Sequence, residues 1–448
     1  MILSFLTLFI AIVLVIFLTS RLNWHPFLVL ILVSIGFGLA SGMSTNDILA
    51  TLQKGFGDTL GSIGIIIVVG LIIGTFFEKS GGAIVIANLF IDYFGKKRLH
   101  TSIAFMGYLI SIPVYADSGF VILTPINKAL TKRVGVSMAG TVVALGMGLT
   151  ASHTMVPPTP GPLAAAAIIG ADLGWVIIFG LAASSIGLLV CIQFSKYMGE
   201  KIWIESDSIS KKEKVVSSEK LPSISRTIMP ILTPLLLIVI RAVAEYPGFP
   251  LEDGGLKAII TFIGDPFVAL LIGMFLAFRI PKSKGSKRLS QSGWLGDALK
   301  GSATIILITA AGGAFGKIIQ ASGFHHSIEP FIKTLPLGLM LPFLIAAVIK
   351  TAQGSSTVAL VTAASIVFPM LDILELTSKV DKALVVISIG AGSTVISHAN
   401  DSFFWILTQF SGMTVSQGYR LHSLATLILG LTVIVTLLLL KSLFGFFG

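Results

Sequence analysis

The chain has 448 residues, of which 54% are hydrophobic and only 12% are charged, and its formal net charge is +10. Ordinary soluble domains carry about 25% charged residues, so this composition excludes a soluble globular protein and indicates a chain that crosses a membrane many times. The positive charge does not indicate nucleic-acid binding, because the cations lie in short loops between apolar runs, as the positive-inside rule requires. The single Cys191 lies in an apolar segment, so we expect no internal disulfide and no thiol metal cluster. We also expect no other metal site and no cofactor.

Apolar runs that are long enough to cross a bilayer form two series of five. The first series comprises residues 2–20, 24–41, 62–77, 135–152 and 173–196, and the second comprises residues 227–245, 258–279, 301–319, 380–397 and 421–441. The polar stretch between the series is predicted to be a cytoplasmic connector. The sequence therefore predicts a first membrane repeat over residues 1–199, a connector over 200–226 and a second membrane repeat over 227–448.

Two pairs of shorter apolar arms lie between the third and fourth spans of the two series. Small polar residues interrupt each pair, and the arms are short for a complete crossing, so each pair is predicted to be a re-entrant hairpin. Two thin but complete helices are the alternative. The arms are residues 101–115 with 118–133, interrupted around Asp117, and residues 336–352 with 354–371, interrupted around Gly354.

The two series resemble copies of one unit. GTFFEKSG at 74–81 parallels GKIIQASG at 316–323, and Ser152-His153 parallels Ser397-His398 at a similar offset. Loop charges place the connector and the loop after residue 279 in the cytoplasm. Since the first unit has five spans, an odd number, the second unit must be inserted upside down relative to the first. The predicted fold class is therefore an all-α polytopic membrane protein, an inverted repeat of two five-helix units that each contain a re-entrant hairpin and a broken helix.

One helix in each unit is interrupted where a crossing is expected. Between Thr150 and Gly161 the prolines end a helix, and a half-helix is predicted from Pro162, with an N-terminus suited to an anionic group. In the second unit, Asn400 and Asp401 supply turn and cap chemistry instead. Unwound backbone at membrane depth needs cover from protein or a hydrated cavity, and inverted repeats with broken helices indicate a secondary transporter.

The two hairpin tips and the two breaks are predicted to converge on one substrate site. Asp117 and Asp401 are each either a proton carrier or a helix cap, and His153 and His398 are each either a ligand or a helix-end residue. Lys350 is either a cation for a carboxylate or a snorkelling side chain. The predicted substrate-binding residues are Asp117, Ser118, Gly119, Ser152, His153, Thr154, Gln353, Gly354, Ser355, Ser356, Thr357, Ser397, His398, Asn400 and Asp401, and the proton-coupling candidates among them are Asp117, His153, His398 and Asp401.

Six motifs, in order from one end of the chain to the other, resemble the signatures of the gluconate permease (GntP) family. They are FGKKRL at 94–99, DSGF at 117–120, SHTMVPPTPGP at 152–162, GDP at 264–266, GSSTVA at 354–359 and SHANDSFFW at 397–405. The resemblance implies an ion-transporter-type fold in the bacterial cytoplasmic membrane that takes up gluconate or a related sugar acid with protons. Lys350 stands where the family pattern has an arginine, so the resemblance supports a sugar acid more firmly than gluconate itself.

The predicted function is therefore proton-coupled uptake of a sugar acid, with the small anion, the proton and the bilayer as partners. The alternatives are another small hydroxylated anion or amino acid such as glycerate or D-serine, and coupling to sodium. An intramembrane hydrolase and a channel are the rivals from other classes, although the sequence contains neither H-E-x-x-H nor G-x-S-x-G. Homodimerisation is a further expectation, because related folds often pair.

Overall fold

The computed structural model describes residues 2–22, 24–94, 98–205, 221–245, 254–281, 288–323, 337–398 and 401–445. Within these ranges the chain is helical and contains no strand. This agrees with the predicted all-α membrane protein. Residues 206–220 of the predicted connector lie outside the described ranges.

Helices of the first half correspond to all five spans and both hairpin arms that the sequence predicts there. They are α1 (Ile2–Ser20), α2 (Pro26–Ala40), α3 (Thr45–Lys79), α4 (Gly82–Phe94), α5 (Leu99–Ser111), α6 (Ala116–Val134), α7 (Met138–Met155), α8 (Pro160–Ile169) and α9 (Leu173–Lys201). The sequence analysis missed α4, because its 13 residues are too few to register as a crossing.

Helices of the second half follow a similar order. They are α10 (Ile224–Ala244), α11 (Gly255–Ile263), α12 (Pro266–Ala277), α13 (Trp294–Ala321), α14 (Met340–Gln353), α15 (Ser356–Val367), α16 (Lys379–Gly392), α17 (Ser402–Ser411), α18 (Val415–Gly418) and α19 (Leu424–Gly445). A 3₁₀ turn, Phe368–Met370, follows α15, and a π-helical turn, Tyr419–Ser423, joins α18 to α19.

The predicted span over residues 258–279 is not one continuous helix, because two helices, α11 and α12, meet there at 62°. The cause is local. The side chain of Asp265 accepts a hydrogen bond from the Phe267 N–H at 3.0 Å, and Pro266 occupies the first position of α12. An N-cap followed by proline starts a new helix rather than continuing the old one.

Among the described residues, five helical segments are long and apolar enough to cross a membrane, or up to seven if each of two bent pairs counts as one span. The segment that contains α7 and α8, Met138–Ile169, differs from the others because 94% of its apolar window is buried inside the protein. It therefore passes through the interior of the helix bundle.

The first helix break is shorter than the predicted Thr150–Gly161. Helix α7 continues to Met155 and α8 begins at Pro160, which leaves only residues 156–159 between them. Thr150 and Thr154 do not end α7, because the Thr154 hydroxyl donates a hydrogen bond to the Thr150 carbonyl at 2.9 Å within the helix. Pro160 is tolerated at the first position of α8, where no helical N–H is needed.

Both predicted hairpins are pairs of helices that pack on each other, α5 with α6 and α14 with α15. In the first, α6 already begins at Ala116, so Asp117 lies in its first turn rather than in a tip loop. In the second, Gly354 ends α14 in the left-handed conformation, with φ of 88°.

The second helix break runs from residue 393 to 401, because α16 ends at Gly392 before the predicted boundary at 397. Within it, Asn400 lies outside the described residues.

The two halves of the chain interlock around these features. Hairpin arm α6 packs against the half-helix α17 of the second half, and hairpin arm α15 packs against the half-helix α8 of the first half. Helices α3 and α13 run antiparallel, because Lys79 at the end of α3 pairs with Asp297 near the start of α13, while Gly55 near the start of α3 contacts Lys317 near the end of α13. This packing brings both hairpins and both breaks together.

Gly74 on α3 provides a test of this close packing. A Cβ at this position would lie 1.9 Å from the carbonyl oxygen of Pro113 at the first hairpin tip, so Gly74→Ala should lower stability by about 1–3 kcal/mol. Gly57→Ala, in open space on the same helix, should leave stability unchanged or raise it slightly, because alanine favours helix. Thermal unfolding of the purified variants in detergent would measure both effects, and equal midpoints for the two would contradict this packing.

Candidate functional site

A cavity of about 380 Å³ lies where the hairpins and breaks meet. Its volume is within the range of small-molecule binding sites. Both halves of the chain contribute to its wall. The lining residues are Tyr115, Ala116, Asp117, Thr150, His153, Thr154, Lys350, Gln353, Gly354, Ser355, Ser356, Thr357, Thr394, Ser397, Asp401, Ser402, Phe403, His422 and Thr426.

A buried ion pair stands in the cavity wall. The Lys350 Nζ lies 2.6 Å from Asp401 Oδ2 and also donates to the Gly354 carbonyl at the hairpin tip. Lys350 is only 2% exposed, so it does not snorkel, and of its two predicted roles the cation facing the site remains. An ammonium has three N–H donors, so one donor remains for a ligand in the cavity.

Asp401 holds several groups at once. Its Oδ1 accepts from the Phe403 N–H at 3.0 Å, which makes it the N-cap of α17, and its Oδ2 also accepts from the Ser397 hydroxyl at 2.5 Å. The cap predicted from the sequence is therefore present. The same carboxylate is also part of the cavity wall and the counterion of Lys350.

His422 is a cavity residue that sequence reasoning missed. It is fully buried in the π-helical turn, and its Nε2 lies 3.0 Å from the Ser397 Oγ. In the same turn, Ser423 donates its hydroxyl to the Ser397 carbonyl. Nothing in the hydrophobic pattern of the last span signals a π turn, although such turns are frequent at functional sites.

Three helix N-termini face the cavity. Helix N-termini carry partial positive charge and N–H groups without intrahelical partners, so together with Lys350 they favour an anion. The half-helix α8, predicted to seat the anion, is not among them, because its Gly161 packs against Leu360 instead. The N-terminal residues in the wall are Tyr115, Ala116 and Asp117 of α6, Ser355, Ser356 and Thr357 of α15, and Asp401, Ser402 and Phe403 of α17.

Asp117 supplies a second carboxylate to the cavity. It is half-buried, and its Oδ2 lies 3.4 Å from the Ser402 hydroxyl of the other half. Within the described part of the chain it forms no ion pair, in contrast to Asp401. Its carboxylate is therefore open to a proton or to a cationic group of a ligand.

Helix α7 contributes polar atoms that lack protein partners. The Thr150 Oγ1 and His153 Nδ1 are buried and have no hydrogen-bond partner among the described residues. The imidazole of His153 packs on the ring of Tyr115, with centroids 5.7 Å apart. Because buried polar groups normally have hydrogen-bond partners, these two atoms beside the cavity are exceptions among the described residues.

Among the predicted binding residues that the structure describes, four do not line the cavity. Gly119 packs against Leu149, and the Ser152 Oγ lies 3.5 Å from the Gly148 carbonyl of its own helix. His398 forms a 2.7 Å hydrogen bond with the Thr351 carbonyl, so it holds the break to α14. Ser118, in the first turn of α6, is the fourth. In each case the sequence located the right segment, but side-chain direction decided which residues face the cavity.

No cluster of three or more His, Cys, Asp or Glu side chains within the described ranges has the arrangement of a metal site. The chemistry of the cavity is instead that of one ammonium, two carboxylates, imidazoles, hydroxyls and helix N-termini. Such a set can bind a hydroxylated anion.

The sequence is similar to known permeases over nearly its whole length. The chain is 34% identical to a gluconate permease of Pseudomonas aeruginosa, covering 95% of this chain and 94% of that protein. It is also 30% identical to the D-serine transporter DsdX of Escherichia coli strain K12, covering 94% of each chain. Among solved structures, Neisseria gonorrhoeae MtrF, one of a class of antimetabolite efflux pumps, matches with a TM-score of 0.69 and 17% identity over 94% of this chain and 96% of that one, which supports the fold alone.

The family model described as "GntP family permease" matches residues 3–443. This match agrees with the resemblance carried by the six motifs of the sequence. The chain therefore belongs to the GntP family of permeases, and it is a multi-pass transporter of the bacterial inner membrane rather than an enzyme.

Proposed function

We propose that the protein takes up gluconate or a related sugar acid together with protons, and that the 380 Å³ cavity is its substrate site. The observation that carries the proposal is the buried Lys350 ammonium, which faces a cavity lined by hydroxyl groups and three helix N-termini. The ammonium and the helix N-termini match a carboxylate. The surrounding hydroxyl groups match the hydroxyl groups of a sugar acid.

The substrate carboxylate would bind the Lys350 ammonium, and its hydroxyl groups would reach the second hairpin tip. Gln353, Ser355 and Thr357 offer donors and acceptors there. Lysine is a point charge without the planar fork of arginine, so it imposes less geometry on the carboxylate. The site would therefore select a carboxylate with hydroxyl groups beside it, as in the aldonates, and a similar gluconate permease supports this class.

Proton coupling follows from charge balance in a buried site. An anion entering beside Asp117 and Asp401 adds negative charge where the dielectric constant is low, which favours protonation of a carboxylate. Asp117 is the proposed proton carrier because it forms no ion pair within the described residues, whereas Lys350 neutralises Asp401 in the empty cavity. The inward proton gradient would then drive accumulation of an anion that the negative interior of the cell repels.

The proposed architecture is two oppositely oriented repeats, residues 1–199 and 227–448. Helices α3 and α13 carry the matching segments GTFFEKSG and GKIIQASG. Their antiparallel packing supports inversion, since equivalent helices of inverted repeats point in opposite directions. A site at the repeat interface is the usual consequence of this architecture.

D-serine is the second candidate substrate. A zwitterion would place its carboxylate on Lys350 and its ammonium on Asp117, whose carboxylate forms no ion pair within the described part of the chain. The similarity to the D-serine transporter DsdX supports this alternative.

Uptake into proteoliposomes would test the function. We expect labelled gluconate to accumulate under an inward proton gradient and not under a sodium gradient alone, because the proposal couples uptake to protonation of Asp117. Unlabelled gluconate, idonate, glycerate and D-serine would compete in an order that identifies the substrate. Accumulation that required sodium, or a preference for D-serine, would contradict the corresponding part of the proposal.

Replacement of Lys350 would test the anion anchor. Lys350→Gln should weaken gluconate binding roughly 30-fold or more, since loss of one member of a buried charged contact costs about 2–5 kcal/mol. Lys441→Gln is the matched control, because Lys441 pairs with Asp381 at 3.5 Å outside the cavity. Equilibrium binding of labelled gluconate to folded, monodisperse protein is the measurement, and equal affinities for both variants would exclude Lys350 as the anchor.

Asp117→Asn would separate binding from coupling. This variant should lose proton-driven accumulation while it retains gluconate exchange, because exchange needs no net proton movement. Uptake and counterflow measured in the same proteoliposomes would show the two activities. Asp372→Asn serves as a control at a carboxylate that does not line the cavity. Unchanged accumulation by Asp117→Asn would remove this residue from the mechanism.

A further inference from the structure

We propose that Asp401 is the internal counterion of Lys350. While the cavity is empty, the Asp401 carboxylate neutralises the Lys350 ammonium. When the substrate binds, the substrate carboxylate replaces Asp401 at that ammonium. This inference rests on the proposed function, because it requires an anionic substrate at Lys350. It assigns Asp401 the role of a competitor for the ammonium, which differs from that of a ligand to the substrate.

The contacts of the ion pair carry the first step. Asp401 Oδ2 lies 2.6 Å from the Lys350 Nζ, at the distance that an oxygen of a bound substrate carboxylate would take. Both side chains are buried, yet both line the cavity. Asp401 therefore occupies the strongest contact that the site can offer to an anion.

Asp401 can leave the ammonium without losing its other partners. Its Oδ1 accepts from the Phe403 N–H at 3.0 Å at the N-terminus of α17, and the Ser397 hydroxyl donates to its Oδ2 at 2.5 Å. These contacts and the helix dipole keep stabilising a carboxylate after Lys350 has moved to the substrate. Displacement thus removes one partner of Asp401 and leaves the rest.

Ser397 is held in place to retain the Asp401 carboxylate once Lys350 binds the substrate. Its N–H donates to the Thr426 Oγ1 at 3.1 Å, and its carbonyl accepts from the Ser423 hydroxyl. Since the Ser397 hydroxyl proton points to Asp401, the His422 Nε2 must be the donor to the Ser397 Oγ, at 3.0 Å. The π-helical turn that carries His422 and Ser423 therefore fixes the group that retains Asp401.

The charge of the cavity agrees with this exchange. With the imidazoles neutral and the phenol protonated, the empty cavity holds one positive and two negative charges. The substrate adds one negative charge, and one proton taken from the external solution by Asp117 cancels it, so the loaded and empty cavities carry equal charge. An empty carrier has no unpaired ammonium, which permits its return. The titratable groups that line the cavity are Tyr115, Asp117, His153, Lys350, Asp401 and His422.

Equilibrium binding of labelled gluconate to the full-length protein in detergent, at one pH throughout, would test the inference. Asp401→Asn and Asp401→Ser both keep a residue that can cap α17, and both remove the competing charge. We expect each to bind gluconate about tenfold more tightly than wild type, a change of about 1.4 kcal/mol. Asp381→Asn, which breaks the Lys441 ion pair outside the cavity, should leave affinity unchanged. Equal or weaker binding by the folded Asp401 variants would overturn the proposal.

A second measurement leaves Asp401 in place, in case both replacements prevent folding. Infrared difference spectra of Asp117→Asn protein with ¹³C-carboxyl gluconate separate the substrate carboxylate band from those of the protein. A shifted protein carboxylate band on binding is expected, and an unchanged one would overturn the inference.

If wild-type protein binds neither gluconate nor D-serine, the proposed function and this inference both fail. If wild type binds gluconate, only the role of Asp401 is at stake.

Discussion

The contact between Lys350 and Asp401 is the constraint on which the geometry of the cavity depends. Burying an ammonium and a carboxylate costs several kcal/mol for each ion unless close pairing and further hydrogen bonds offset it. The Gly354 carbonyl, the Ser397 hydroxyl and the Phe403 N–H provide those bonds. Since these groups belong to the second hairpin tip and the second helix break, satisfying the two charges also fixes the two segments against each other.

In the first half, close packing by helix α3 covers the unwound backbone in place of an ion pair. A Cβ on Gly70 of α3 would lie 3.2 Å from the Pro158 carbonyl oxygen in the first break, and one on Gly74 would overlap the Pro113 carbonyl at the first hairpin tip. Two glycines one turn apart thus let α3 lie directly on both irregular segments. This contact protects polar backbone from lipid, which is the condition for irregular structure at membrane depth. The two halves therefore protect their helix breaks in different ways, one by close helix packing and the other by buried charge.

The sequence predicted the helical segments, both hairpins, both breaks and the family, because apolar length, proline and polar tips act locally. It did not predict α4 or the bend at Asp265, since 13 apolar residues and one capped proline are weak signals. The sequence located the segments that form the site. It did not predict which way the side chains of Ser118, Ser152 and His398 point, because that depends on helix phase and tertiary contacts. His422 was beyond reach, because a π turn shifts the phase of a helix without a recognisable motif.

A transporter has to release its substrate, and the composition of the cavity bears on release as much as on binding. A site with only Lys350 and three helix N-termini would hold an anion strongly, and a tightly held substrate leaves slowly. Two carboxylates in the same wall, Asp117 and Asp401, lower that attraction. Binding favourable enough to capture an anion but weak enough to let it leave is a general requirement for permeation through a membrane protein. In the proposed anion site the two acids therefore matter as much as the lysine, since they would weaken binding enough for the anion to leave.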